Sequence, residues 1–134
     1  MADVKNINGY DIKDAVARNQ NTYNSSEIEV GTYNGAKLYR KSWFNVDISQ
    51  LTPLASGTNN KIYSIGTISD ASKVKRVYGC IKTSTVMYPI FMYTDGGADR
   101  YVSAYCSGTS LRLDLGNYYN LSGLTVDITI EYVK

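Results

Sequence analysis

Hydrophobic and polar positions alternate with a period of two along most of this chain, and with a helical period in only one place. Over 27–33 the order Glu-Ile-Glu-Val-Gly-Thr-Tyr alternates, Asn34-Gly35 intervenes, and 36–44 continues as Ala-Lys-Leu-Tyr-Arg-Lys-Ser-Trp-Phe. Asn-Gly between two such runs predicts a hairpin, because a type I′ turn needs positive φ at both central residues. A two-residue turn then sets Tyr33 opposite Ala36, Val30 opposite Tyr39 and Glu29 opposite Arg40, the last an attractive cross-strand pair. Residues 50–60, with Pro53, Gly57 and Asn59-Asn60, read as a loop. Strands are expected over 61–68, 73–82, 86–94, 100–106 and 110–115, with turn residues between them. Leu111, Leu113 and Leu115 share one face of the last of these, against Arg112 and Asp114 on the other. Pro89 lacks the N–H that a ladder needs, which places 86–94 at a sheet edge or a bulge. Near the end, Val126, Ile128, Ile130 and Tyr132 alternate with Thr125, Asp127, Thr129 and Glu131. That pattern predicts a strand with one apolar and one wet face.

The helical exception lies near the start. Ile12, Ala15, Val16 and Asn19 fall at i, i+3, i+4 and i+7, and Asp11 can cap the first turn. An isolated helix shorter than about 12–15 residues is marginal in water, so this one needs a surface to dock on. The expected fold is therefore all-β: an antiparallel, jelly-roll-like β-sandwich over 25–134. Before it, 1–24 are expected to hold this helix and a polar linker, the helix docking either on the β-domain or on copies of itself from other subunits.

Composition supports a single folded domain. The 134 residues are 43% hydrophobic and 19% charged, with 13 Tyr and 2 Pro, a balance that suits strands. A net charge of +2 is too small for a nucleic-acid partner, and Lys73, Lys75 and Arg76 read as a solvated strand face. No run approaches the roughly 18 apolar residues of a membrane span, so no membrane insertion is expected. The first residues lack a signal peptide's charged start and apolar core, which points to synthesis in a cytoplasm and to Cys80 and Cys106 as reduced thiols.

Chemistry leaves little trace. With no histidine, a Ser–His or Cys–His nucleophile pair has no base. Two cysteines without histidine give no zinc site. Asp95-Gly96-Gly97-Ala98-Asp99 reads as a polar hairpin turn rather than a calcium loop, which concentrates more oxygen ligands. Asp47, Asp70, Asp99, Asp114 and Asp127 show no spacing that selects two of them for acid–base work. The expectation is no enzyme, no cofactor and no metal. Tyrosines are more suggestive: Tyr88, Tyr93, Tyr101, Tyr105, Tyr118 and Tyr119 crowd the second half beside loops. Most read as cross-strand filler, whereas the adjacent pair Tyr118-Tyr119 in a Gly-Asn/Asn-Leu setting turns at least one ring outward.

Three segments carry a resemblance. "INGYDIKDAVARN" resembles the short leader of many tail-associated proteins of phages infecting Gram-positive bacteria. "EIEVGTYNGAKLYRKSW" resembles the "GTW-x-G-K-PLYRK" hairpin of tail-fibre and receptor-binding tip domains in those phages, with Tyr33 in place of Trp and Ala36-Lys37 in place of Lys-Pro. "TVDITIEYVK" resembles their last strand. The central part, 50–120, matches no motif of that family. The resemblance implies a homotrimeric virion protein, assembled in the host cytoplasm, that meets other virion proteins through its N-terminal segment and binds a bacterial surface glycan. Ile12, Ala15, Val16 and Asn19 would then form the trimer seam, a polar Asn setting its register. Aromatic faces and hydrogen-bonding groups at Tyr93, Asp95, Asp99, Arg100, Tyr118 and Tyr119 are the expected ligand contacts. The alternative is a head fibre or capsid decoration protein with an assembly role and no receptor. A bacterial carbohydrate-binding module is a third, weaker reading.

Overall fold

The computed structural model describes residues 22–90, 101–117 and 120–134. Asn34 (φ 48°) and Gly35 (φ 79°) take the left-handed conformations of the predicted turn. They join β1 (Ile28–Tyr33) to β2 (Ala36–Asp47), with Tyr33 opposite Ala36 as expected. Farther from the turn the expected register is wrong. A bulge leaves Val30 unpaired, so Glu29 lies opposite Tyr39 and Ile28 opposite Arg40. The extra residue lets Val30 turn into a buried position, and Glu29 bonds Lys37 instead of Arg40.

Among the described residues seven further strands follow: β3 (Ala55–Ser56), β4 (Asn60–Thr67), β5 (Val74–Lys82), β6 (Met87–Pro89), β7 (Tyr101–Ser107), β8 (Ser110–Gly116) and β9 (Thr125–Val133). All ladders are antiparallel and form two sheets, in the orders β1-β2-β9-β5-β6 and β3-β4-β8-β7. The fold is an all-β sandwich. β6, with Pro89, lies at a sheet edge, where a missing N–H costs no ladder bond. The stretch expected as a plain loop holds β3 and part of a one-turn 3₁₀ helix, Ile48–Gln50. A second such turn, Ala71–Lys73, precedes β5. Asp47 and Asp70 cap these turns by accepting from the Ser49 and Ser72 amides.

Ile128, Ile130 and Tyr132 of β9 face inward with Ile81 of β5. They pack on Tyr63 and Ile65 of β4, Leu111, Leu113 and Leu115 of β8, and Val102 of β7. Removing this apolar surface from water, at about 25 cal/mol per Å², is the main stabilising term. Trp43 joins the two sheets: its indole lies where a Cβ on Gly66 of β4 would sit, a close approach that only glycine permits. Cys80 and Cys106 are half-buried free thiols. Cys80 pairs with Asp127 on the outer side of its sheet, whereas Cys106 packs against the core from the other sheet. The predicted helix, with Ile12, Ala15, Val16 and Asn19, lies outside the described residues.

Candidate functional site

A groove of about 470 Å³ opens between the two sheets, a volume within the range of small-molecule sites. Its apolar floor is Ile130 and Tyr132 of β9, Val74 of β5 and Ile68 of the β4–β5 connection. Its rim carries Glu27, Lys41, Asp70, Lys73 and Lys134. Strand alternation sets the floor. Residues paired across a ladder point the same way, so Tyr39, Lys41 and Trp43 of β2 lie on the inner face with Tyr132, Ile130 and Ile128. Lys41 is thus a lysine on the core-facing side of a central strand, its ammonium 5.1 Å from the Trp43 ring centroid.

Both rim carboxylates are already engaged. Glu27 accepts from the Tyr132 hydroxyl and from the Lys134 ammonium. Burial pushes the Glu27 carboxyl up, but those two hydrogen bonds and the charges of Lys134 and Lys41 outweigh it and hold it below its ordinary value. Burial, reinforced by the Glu27 carboxylate, pushes the Tyr132 phenol up. Asp70 is held below the usual carboxylate range by the backbone and hydroxyl of Ser72.

The opposite face of the same strands is also covered, and by polar groups. Glu131, expected on a wet face, is 3% exposed and Thr129 is 6% exposed. Residues 22–26 lie beside this face: the Ser42 amide donates to the Asn24 carbonyl, and Arg40 Nη1 donates to the Thr22 carbonyl. The Arg40 guanidinium stands 4.5 Å from the Tyr23 ring centroid, and Tyr23 meets Tyr78 edge-on. Beneath them Glu131 Oε1 accepts from Arg40 Nε at 3.1 Å, Arg40 Nη2 at 2.9 Å and the Tyr78 hydroxyl at 3.1 Å. Glu131 Oε2 accepts from Arg76, and Ser42 and Thr129 share a buried hydroxyl bond of 2.7 Å. Burial pulls the Arg40 guanidinium down, but the hydrogen bond to Glu131 and nearby negative charge raise it overall.

The expected ligand contacts Tyr93, Asp95, Asp99, Arg100, Tyr118 and Tyr119 all lie outside the described residues. Of the other tyrosines singled out, Tyr88 packs on the core and Tyr101 donates to Asp114. The basic cluster is divided by a bulge at Lys75. Lys73 goes to the groove rim, Lys75 lies over the Tyr33 ring and Arg76 reaches Glu131. Asp47, Asp70, Asp114 and Asp127 each hold hydrogen bonds within the sandwich. No group of three metal-ligating side chains converges among the described residues. The groove escaped the sequence reading, although one signal was present: Lys41 alternates with Tyr39 and Trp43, on the same side as two aromatic core residues. The chain matches no family model, no curated protein and no solved structure.

Proposed function

We propose that the protein is a non-enzymatic structural component of a phage virion, a homotrimeric tail-tip or fibre adhesin whose β-sandwich binds a bacterial surface saccharide. The observation that carries this reading is the groove between the sheets. Its floor of Ile68, Val74, Ile130 and Tyr132 suits the C–H face of a sugar ring, and the rim supplies hydrogen-bonding groups. Weak single sites gain avidity when several are linked, which a trimer provides. The hold of Arg40 and Ser42 on residues 22–24 supports a segment that leaves the body from a fixed place, as attachment to a larger particle requires. A jelly-roll-like description fits the non-consecutive pairings β2-β9-β5 and β4-β8, and the short N-terminal helix would supply the trimer seam.

The test pairs glycan-array binding of the full-length protein with immunogold labelling of particles. Binding to surface glycans with label at the tail tip is expected. Label on the capsid with no glycan bound would instead favour the head-fibre or decoration role. Native mass measurement should give a trimer for the full chain and a monomer for residues 22–134, which retain the Thr22–Asn24 contacts.

A further inference from the structure

We propose that the groove selects an anionic sugar, one whose ring bears a carboxylate or phosphate, with Lys41 and Lys73 as the cations that hold the oxyanion. The inference rests on the saccharide reading of the groove and adds the charge class of the ligand. Three lysines and two carboxylates line the groove. The carboxylates are committed within the chain, Glu27 to Tyr132 and Lys134, and Asp70 to the Ser72 amide. Lys41 and Lys73 have no carboxylate hydrogen-bonded to them among the described residues.

Lys41 is the more telling of the two. Its ladder partner is Ile130, and its same-face neighbours Tyr39 and Trp43 pack against the core, so packing alone asks for an apolar side chain there. Within the fold this half-buried lysine meets the Trp43 ring and the field of Glu27, but no carboxylate hydrogen-bonds to it among the described residues. An oxyanion arriving in the groove would supply that partner, as a charge-assisted hydrogen bond to half-buried Lys41 with exposed Lys73 closing from the rim. The apolar floor beside these cations gives the remainder of the ligand a place, so a free anion lacks half of the complementarity.

The experiment is a set of NMR titrations of the full-length protein at low salt with digalacturonate, glucose 6-phosphate, their neutral counterparts galactobiose and glucose, and inorganic phosphate alone. The acidic sugars are expected to shift the amides of Val74, Ile130 and Tyr132 and to bind about tenfold or more tightly than the neutral ones, the span of one good charge-assisted contact. Affinity should fall as salt screens the lysines. Lys41→Met and Lys73→Met should each weaken acidic sugars severalfold, and the double variant should erase the preference over neutral ones. Methionine is apolar and of similar length, and a melting curve checks each variant's fold. Lys37→Met, on the hairpin outside the groove lining, should change nothing.

The two acidic probes separate carboxylate from phosphate. Equal affinity for neutral and acidic sugars would overturn the anion preference while leaving the saccharide reading intact. Unchanged acidic-sugar binding in both variants would overturn the role of the two lysines. Inorganic phosphate binding as tightly as glucose 6-phosphate would overturn the part given to the floor. No shift at the groove with any sugar would remove both readings together.

Discussion

Replacing Glu131 by glutamine is expected to destabilise the sandwich by about 3 kcal/mol, near the lower end of the range for breaking a buried ion pair. The magnitude follows from the geometry. The Glu131 and Arg40 side chains are 4% and 9% exposed, so water cannot take over the role of either partner. Arg40 sets two donors on Oε1, and Tyr78 adds a third. Glutamine keeps a carbonyl for those donors but removes the charge, leaving the guanidinium buried without its counterion. Arg76 contributes little, because its side chain is 66% exposed. For a folded body of this size 1 kcal/mol moves the melting midpoint by roughly 4 °C, so the variant should melt about 12 °C lower. Circular dichroism melts and urea titrations at neutral pH measure this. Arg40→Met with Glu131→Leu should be clearly more stable than the single variant, since it removes both charges and keeps the volume, and it falls short of the parent because the Tyr78 hydroxyl and the Thr22 carbonyl lose these partners. A single variant that melts within 2 °C of the parent, or a double variant as unstable as the single, would refute the reasoning.

Other consequences can be measured alongside. Gly66→Ala should cost about 1–3 kcal/mol, read by the same melts, because its methyl meets the Trp43 indole in a packed core. Glu27 titrates below its ordinary 4.5 in the folded protein, so its contribution is complete above that pH and is lost as pH falls through the lower folded value. The stability difference between the parent and Glu27→Gln should accordingly be flat above pH 4.5 and vanish in more acid solution. Burial raises the Cys80 and Cys106 thiols. Both should therefore react with a thiol reagent at pH 8 more slowly than free cysteine, and at the ordinary rate in urea.

What could be read from the sequence was local. The Asn34-Gly35 turn needs only its own φ values, and the inward set Val126, Ile128, Ile130 and Tyr132 needs only alternation. Pro89 marked an edge because its missing donor is a property of one residue. Bulges escaped: the extra residues in β1, β2, β4 and β5 are fixed by what lies across the ladder, not by their own propensities. Glu131 looked solvent-facing for a similar reason. Its partner Arg40 is 91 residues away, and the segment beside them lies still farther off. The groove needed four strands, β2, β4, β5 and β9, and a connection to meet, which no single periodic stretch encodes.

The buried ion cluster and the groove occupy opposite faces of the same two strands. In β2, Arg40 and Ser42 point to the side beside residues 22–26 while Lys41 points into the groove. In β9, Thr129 and Glu131 face the first side while Ile130 and Tyr132 face the second. A period of two therefore lets adjacent residues serve different tasks, provided the β2–β9 register holds. The Arg40 fork on Glu131 and the Ser42–Thr129 bond add from outside to a register that the β2–β9 ladder itself holds, and that ladder sets Lys41 beside Ile130 inside. Substitutions on the two faces should then separate. Lys41→Met ought to change ligand affinity and leave the melting midpoint near the parent's. Glu131→Gln ought to lower the midpoint and leave affinity intact at temperatures where the protein is fully folded. A Glu131→Gln protein that is folded yet has lost groove binding would mean that the ion cluster sets the position of Lys41 as well as the stability of the sheet.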